Sequence, residues 1–270
     1  MSTPIFLKGG FSSYMKSNFK RCLILVLTLC LLFSATTPMT ALATTDIPLA
    51  GTPWCQTMIF PEEEIVHPTT VIIYLHGDGN NGKTTEDLER FTLVDHPLKY
   101  AREGNLDIPD DCIIVCFQGT YNGEFRNKSD ELCEVISALA QTCPEAKIIL
   151  AGHSHGAMAA YKIAAAGNTD IDGYAFISGI QPQESERLTL IPNCLVVYGS
   201  EEWRSNRSDF SELFYQNDIS DSQYARLSSL VEDKTNNAYF LGPWSHGSSP
   251  QIFLEDFFWE WVSNVTLLTE

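Results

Sequence analysis

Positive charge is scarce in this chain: 17 Lys and Arg stand against 34 Asp and Glu, a formal charge of −17. Proteins that grip nucleic acid need a basic face to displace counterions from the phosphates, so a nucleic-acid partner is excluded and an anionic membrane surface is disfavoured. Long apolar runs are also missing. The longest covers residues 22–35, short of the roughly 20 residues that a helix needs to cross a bilayer core. No Cys-x-x-Cys pair occurs, which argues against a structural zinc site. No internal repeat, low-complexity tract or Pro/Gly linker interrupts residues 44–270. They are expected to form one α/β domain rather than two small ones.

Acidic residues are absent from the first 43 positions, where Lys8, Lys16, Lys20 and Arg21 precede the apolar run and Ala41-Leu42-Ala43 follows it. This is the layout of a cleaved signal peptide, residues 1–43, and it implies a secreted or extracytoplasmic protein. Its removal leaves 13 basic residues against 34 acidic ones, a formal charge of −21. No stable membrane association is expected. Six cysteines remain: Cys55, Cys112, Cys116, Cys133, Cys143 and Cys194. Cys112 and Cys116 lie four apart in an extended run, about 13 Å, too far to bond each other. Cys133 and Cys143 are separated by about 15 Å of helix and fail likewise. The remaining readings are long-range bridges or buried free thiols.

Runs dense in β-branched and other apolar residues start at Thr70, Cys112, Lys147, Tyr174, Cys194 and Ala238. Runs this continuous read as strands buried on both faces. Helical patterns fall between them near 85–103, 128–142, 156–166, 208–231 and 250–265, the last with Pro250 in its first turn. Strand alternating with helix predicts a mostly parallel central sheet with helices on both faces.

The strand from Lys147 runs into Gly152-His153-Ser154-His155-Gly156, followed by a helix rich in small residues. A G-x-S-x-G sequence between strand and helix makes a sharp turn that exposes the serine, and its glycines avoid collisions with the neighbouring strand and helix. Ser154 is the candidate nucleophile. In the chain order Ser, acid, His, the base lies after the elbow, and of six histidines only His246 does. The acid belongs after the strand that ends at Gly199, where Glu202 is the first candidate, Glu201 the second and Asp209 the third. The acid would hold the imidazole in its proton-accepting tautomer. The oxyanion hole needs the amide of His155 and a second from the loop after Leu75, supplied by Asp78, with Gly79 as alternate. His153 and His155 suggest a metal pair by spacing, but the turn sends Ser154's neighbours elsewhere, and packing is the role expected of them. No metal and no cofactor is expected.

The His76-Gly77 loop, the G-H-S-H-G elbow, the acidic loop and the C-terminal histidine, in that order, resemble the α/β-hydrolase superfamily over nearly all of residues 53–270. The resemblance is to its esterase-like members. It implies acyl transfer through a serine ester and a small-molecule ester substrate, most simply a carboxylic ester. A glutamate in the acid loop departs from the more usual aspartate. Only 12 residues, Ile180 to Ile191, follow the strand ending near Gly179 before Pro192, so no large lid is expected.

Two other readings compete. Gly77 to Thr84 satisfies the G-x-x-x-x-G-K-[ST] pattern of a phosphate-cradling P-loop, but no strand ends in the aspartate that would hold magnesium. A hydrolase-like module that only binds a partner is the second, and the presence of both Ser154 and His246 argues against it.

Overall fold

A computed structural model describes residues 54–59, 67–83, 87, 94–179, 188, 191–199 and 236–265. All lie within Thr40–Glu270, the second of two units into which the chain divides. Seven strands form one sheet: β1 (Cys55–Ile59), β2 (Thr70–Leu75), β3 (Cys112–Gln118), β4 (Lys147–His153), β5 (Gly173–Ile177), β6 (Cys194–Gly199) and β7 (Ala238–Gly242). Their order is β1-β3-β2-β4-β5-β6-β7. β1 pairs antiparallel with β3, and every other pairing is parallel. The six strands read from the sequence are therefore present as a parallel sheet. β1 adds an antiparallel edge that the sequence reading did not include.

The continuous apolar runs are explained by burial on both faces. On one face Val71, Ile73, Leu75, Val115, Leu150 and Phe176 pack under Leu132, Val135, Ile136 and Leu139 of α3 (Ser129–Thr142). Those four lie at i, i+3, i+4 and i+7, the stripe that a helix turns toward a core. Pro144 stops α3, since the residue before a proline is forced out of helical geometry. α4 (His155–Ala165) lies on the same face. On the other face Ile72, Tyr74, Ile114, Ile149, Ala175 and Val197 meet α1 (Pro97–Arg102) and the C-terminal helices. A short α2 (Glu124–Asn127) precedes α3.

Two expected helices differ in detail. Of the 85–103 pattern, residue 87 and those from Val94 onward are described, and there α1 begins after His96, whose side chain accepts the Leu98 N–H and caps the first turn. The 250–265 pattern is not one helix. A 3₁₀ segment spans His246–Leu254 with Pro250 inside it, and α5 (Asp256–Asn264) starts only after Glu255, which is extended at φ −97° and ψ 131°. The break has a packing reason. It lets Phe253, from the 3₁₀ segment, and Phe258, Trp261 and Val262, from α5, enter the same core. Phe257 is only partly covered. The 208–231 helix lies outside the described residues, as do residues 180–187. Among the described residues no helix is long and apolar enough to cross a membrane.

The five cysteines whose side chains are described are all free. Cys112, Cys116 and Cys194 are buried within the sheet, and burial pushes the Cys194 thiol up to about 12 and the other two higher still.

Phe253 is fully buried, with its ring 4.6 Å from Phe258 and 5.5 Å from Tyr74. Truncating such a side chain removes its transfer energy and leaves a cavity. Phe253→Ala should lower unfolding free energy by about 3–5 kcal/mol, read as a shift in the urea midpoint at unchanged slope.

Candidate active site

β2 is flanked by β3 on one side and β4 on the other, so the winding of the sheet reverses there. Crevices at the carboxyl ends of strands beside such a reversal are where ligands bind in open α/β sheets. β4 ends in this crevice at His153, and α4 begins at His155. Ser154 joins them at φ 53° and ψ −119°, a conformation that costs a non-glycine residue about 1–3 kcal/mol. Its N–H donates to the Ile177 carbonyl at 2.8 Å and its carbonyl accepts the Met158 N–H at 3.1 Å, which hold the turn. The glycines make the turn possible by close approach. A Cβ on Gly152 would overlap the backbone of Gly156 and Ala157, and one on Gly156 would overlap the carbonyl oxygens of Leu75 and His76.

The 3₁₀ segment after β7 brings His246 to this turn, with Nε2 3.0 Å from Ser154 Oγ. Several neighbours fix that histidine's backbone. His153 donates from Nε2 to the His246 carbonyl at 2.8 Å, so the proton of His153 sits on Nε2. Ser178 Oγ donates to Ser249 Oγ at 2.6 Å, and Ser249 Oγ donates to the Ser245 carbonyl at 3.1 Å. Ser178 holds a positive φ of 52° at the end of β5. Asp95 accepts from Gln251 of the same segment and from Lys99. Burial pushes its carboxyl up, but bonds from Lys99, Ser248 and Gln251 outweigh this and leave it below the usual carboxylate range. His153, Ser178, Ser249 and Asp95 were not assigned these contacts from the sequence, because no spacing along the chain links them to position 246.

On the other side of Ser154, the loop after β2 supplies Gly77 and Asp78. The Gly79 N–H is committed to Asn122 Oδ1 at 3.1 Å. Among the described residues, the Asp78 and His155 amides have no such partner, which favours Asp78 over Gly79 as the second donor of a hole. His153 is buried, as packing requires, but His155 is not: its side chain is 41% exposed and paired with the Asp78 carboxylate. The packing expectation is thus corrected for His155, because the first helical position faces the crevice. Among the described residues no cluster could hold a metal ion. Glu202, Glu201 and Asp209 lie outside the described residues; β6 ends at Gly199, just before them.

The P-loop resemblance of Gly77 to Thr84 meets a physical objection. A phosphate cradle needs free backbone amides, but the Gly82 N–H donates to the Gly119 carbonyl at 2.9 Å and the Lys83 N–H to Asp87 at 2.8 Å. With Gly79 also engaged, three of the loop's amides serve its own fold.

A parallel sheet with an antiparallel first strand, a strained serine turn after the strand beside the reversal, and a histidine delivered to it after β7 together decide the architecture. The chain has the α/β-hydrolase fold. No family model matches it, and no curated protein matches its sequence. Among solved structures it is similar to an S-formylglutathione hydrolase from Staphylococcus aureus at 18% identity and a TM-score of 0.48, covering 80% of this chain and 92% of that one. A dienelactone hydrolase from Anabaena variabilis gives 12% identity and 0.49, again over 80% and 92%. A thermostable esterase gives 14% and 0.48, over 77% of this chain but only 58% of that one.

His76, at the head of the loop, has a tautomer fixed by its partners. Nε2 accepts the Gly119 N–H at 2.8 Å, so Nδ1 carries the proton and donates to the Gly77 carbonyl at 2.6 Å. Burial lowers its pKa to about 4 from the ordinary 6.5. The unfolded chain binds the proton first, so this histidine's contribution is intact above pH 6.5 and is lost as pH falls toward 4. Buried His96 is shifted the same way, first by burial and then by His76 and His153. Unfolding free energy should fall on the order of 1.4 kcal/mol per pH unit per such histidine across this window. Urea midpoints at pH 7, 6 and 5 measure it, and His76→Gln should flatten the dependence.

Proposed function

We propose that this protein is a secreted serine hydrolase that cleaves carboxylic esters through a Ser154–His246–acid triad. The observation that carries the proposal is a serine held at positive φ between strand and helix with its hydroxyl 3.0 Å from the His246 imidazole. A serine hydroxyl is a weak nucleophile until an adjacent base takes its proton. His246 Nε2 accepts that proton as Ser154 Oγ attacks the ester carbonyl. The Asp78 and His155 amides receive the oxyanion, His246 returns the proton to the leaving alcohol, and water repeats the cycle on the acyl-enzyme. Glu202 is the proposed acid, with Glu201 and Asp209 after it. The acid-free, Lys/Arg-led segment 1–43 supports export.

Ser154→Ala should abolish labelling by a fluorophosphonate probe and cut turnover of a p-nitrophenyl ester by several orders of magnitude. His246→Ala should lose about as much, because the two groups act as a unit, and Glu202→Gln less. Undiminished labelling of Ser154→Ala overturns the assignment. If Glu201→Gln is crippled while Glu202→Gln is not, the acid is Glu201.

The short stretch between Gly179 and Pro192 leaves room for about one short helix, too little apolar surface for a lid that opens at an oil interface. Soluble short-acyl or small aromatic esters are the proposed substrates. Tributyrin measured below and above its solubility limit should show no jump in rate. A sharp rise at the onset of emulsion, with little activity on a soluble butyrate ester, overturns the open site.

A further inference from the structure

We propose that the Asp78–His155 side-chain pair is a positioning device that holds the two amide donors of the oxyanion hole at one separation, an inference that rests on the hydrolase reading above. The residues that supply the two amides are the same two whose side chains meet, Asp78 Oδ2 with His155 Nδ1. Nothing in the strand-turn-helix pattern requires this contact. It joins the loop half of the hole to the helix half.

The two halves differ in how firmly they are held. His155 is the first residue of α4, and its backbone follows from the Ser154 turn and the helix after it. Asp78 lies beyond the end of β2, where no strand ladder reaches, and the next residue, Gly79, turns the chain at φ 84°. Side chains and single amides hold this loop. Gln118 donates to the Asn80 carbonyl at 2.7 Å, and Asn122 Oδ1 accepts from the Gly79 N–H and from the Asn81 amide. These fasten the loop to the end of β3 and the segment after it, and neither fixes its distance from α4. The Asp78 carboxylate does both. Oδ1 accepts the Gly123 N–H at 2.8 Å, and Oδ2 lies against the imidazole Nδ1 at the start of α4. Both side chains are partly exposed, 29% for Asp78 and 41% for His155. A pair this open adds little to global stability. Its effect is local, on the spacing of two N–H groups that must meet one oxygen.

The test uses the full chain with Asp78→Asn, His155→Gln and the double variant. Asp78→Asn keeps an oxygen for the Gly123 N–H, and if it fails to fold His155→Gln carries the test. Losing an oxyanion donor outright costs about 10²–10³ in kcat, so loosening one should cost about 10–100-fold with KM within about twofold. Inhibition by a phenylboronic acid, whose serine adduct is a tetrahedral anion, should weaken by a similar factor. The double variant should lose no more than the worse single one. The backbone order parameter at Asp78, from ¹⁵N relaxation, should fall in His155→Gln from about 0.85 toward 0.6. Unchanged kcat in both single variants, or an unchanged order parameter, overturns the proposal. If wild type and Ser154→Ala turn over esters equally, the hydrolase reading fails, and the order parameter still decides whether the pair holds the loop.

Discussion

The structure depends on how closely α4 approaches the sheet. Gly156 rests against the carbonyl oxygens of Leu75 and His76, and Gly152 against the backbone of Gly156 and Ala157. Backbone touches backbone, with no side chain between. The contact surface next to it follows from that distance: α4 buries Ala157, Ala159 and Ala160 first, and the larger Tyr161 and Ile163 only farther along. The same approach bends the chain at Ser154 into a conformation that no unconstrained serine prefers. The strain persists because the bonds to Ile177 and Met158 and the packed alanines determine the turn from both sides.

Around this turn the imidazoles are put to different uses by their surroundings. His76 and His96 are buried, and burial holds them neutral so that each can accept a backbone N–H. His153 donates to the carbonyl of His246. His246 faces the serine, and His155 faces a carboxylate at the rim. One residue type thus meets backbone amides, a backbone carbonyl, a serine hydroxyl and a carboxylate, and what differs between positions is burial and the partner on each nitrogen.

Much of this was legible in the chain. The strands at 70–75, 112–118, 147–153, 173–177, 194–199 and 238–242 are continuous apolar runs because both faces are covered, and continuity survives in one dimension. β1 was not legible. Cys-Gln-Thr-Met-Ile mixes polar and apolar residues, as an edge strand with one partner can. The division at Glu255 was hidden for another reason. Phe253, Phe257 and Trp261 satisfy a helical period, and only the competition for space beside Tyr74 shows that Phe253 enters the core from a separate segment. At the site, Ser154 and His246 were found by order along the chain, and order is a one-dimensional property. Supports of His246 such as His153, Ser178 and Asp95, and the partner of Asp78, come from strand ends and loops tens of residues away, which only the folded sheet brings together.

The buried thiols set a condition on how this molecule comes into being. Cys112 and Cys116 on β3 and Cys194 on β6 are inert once the sheet has formed, both because solvent is excluded and because their thiolates are suppressed. Before that, each is an ordinary thiol on a nascent chain. β3 is covered at its edges by β1 and β2, and β6 by β5 and β7. Pairing of these strands is therefore what withdraws the three sulfurs from chemistry, and a chain that pairs them late leaves them open for longer.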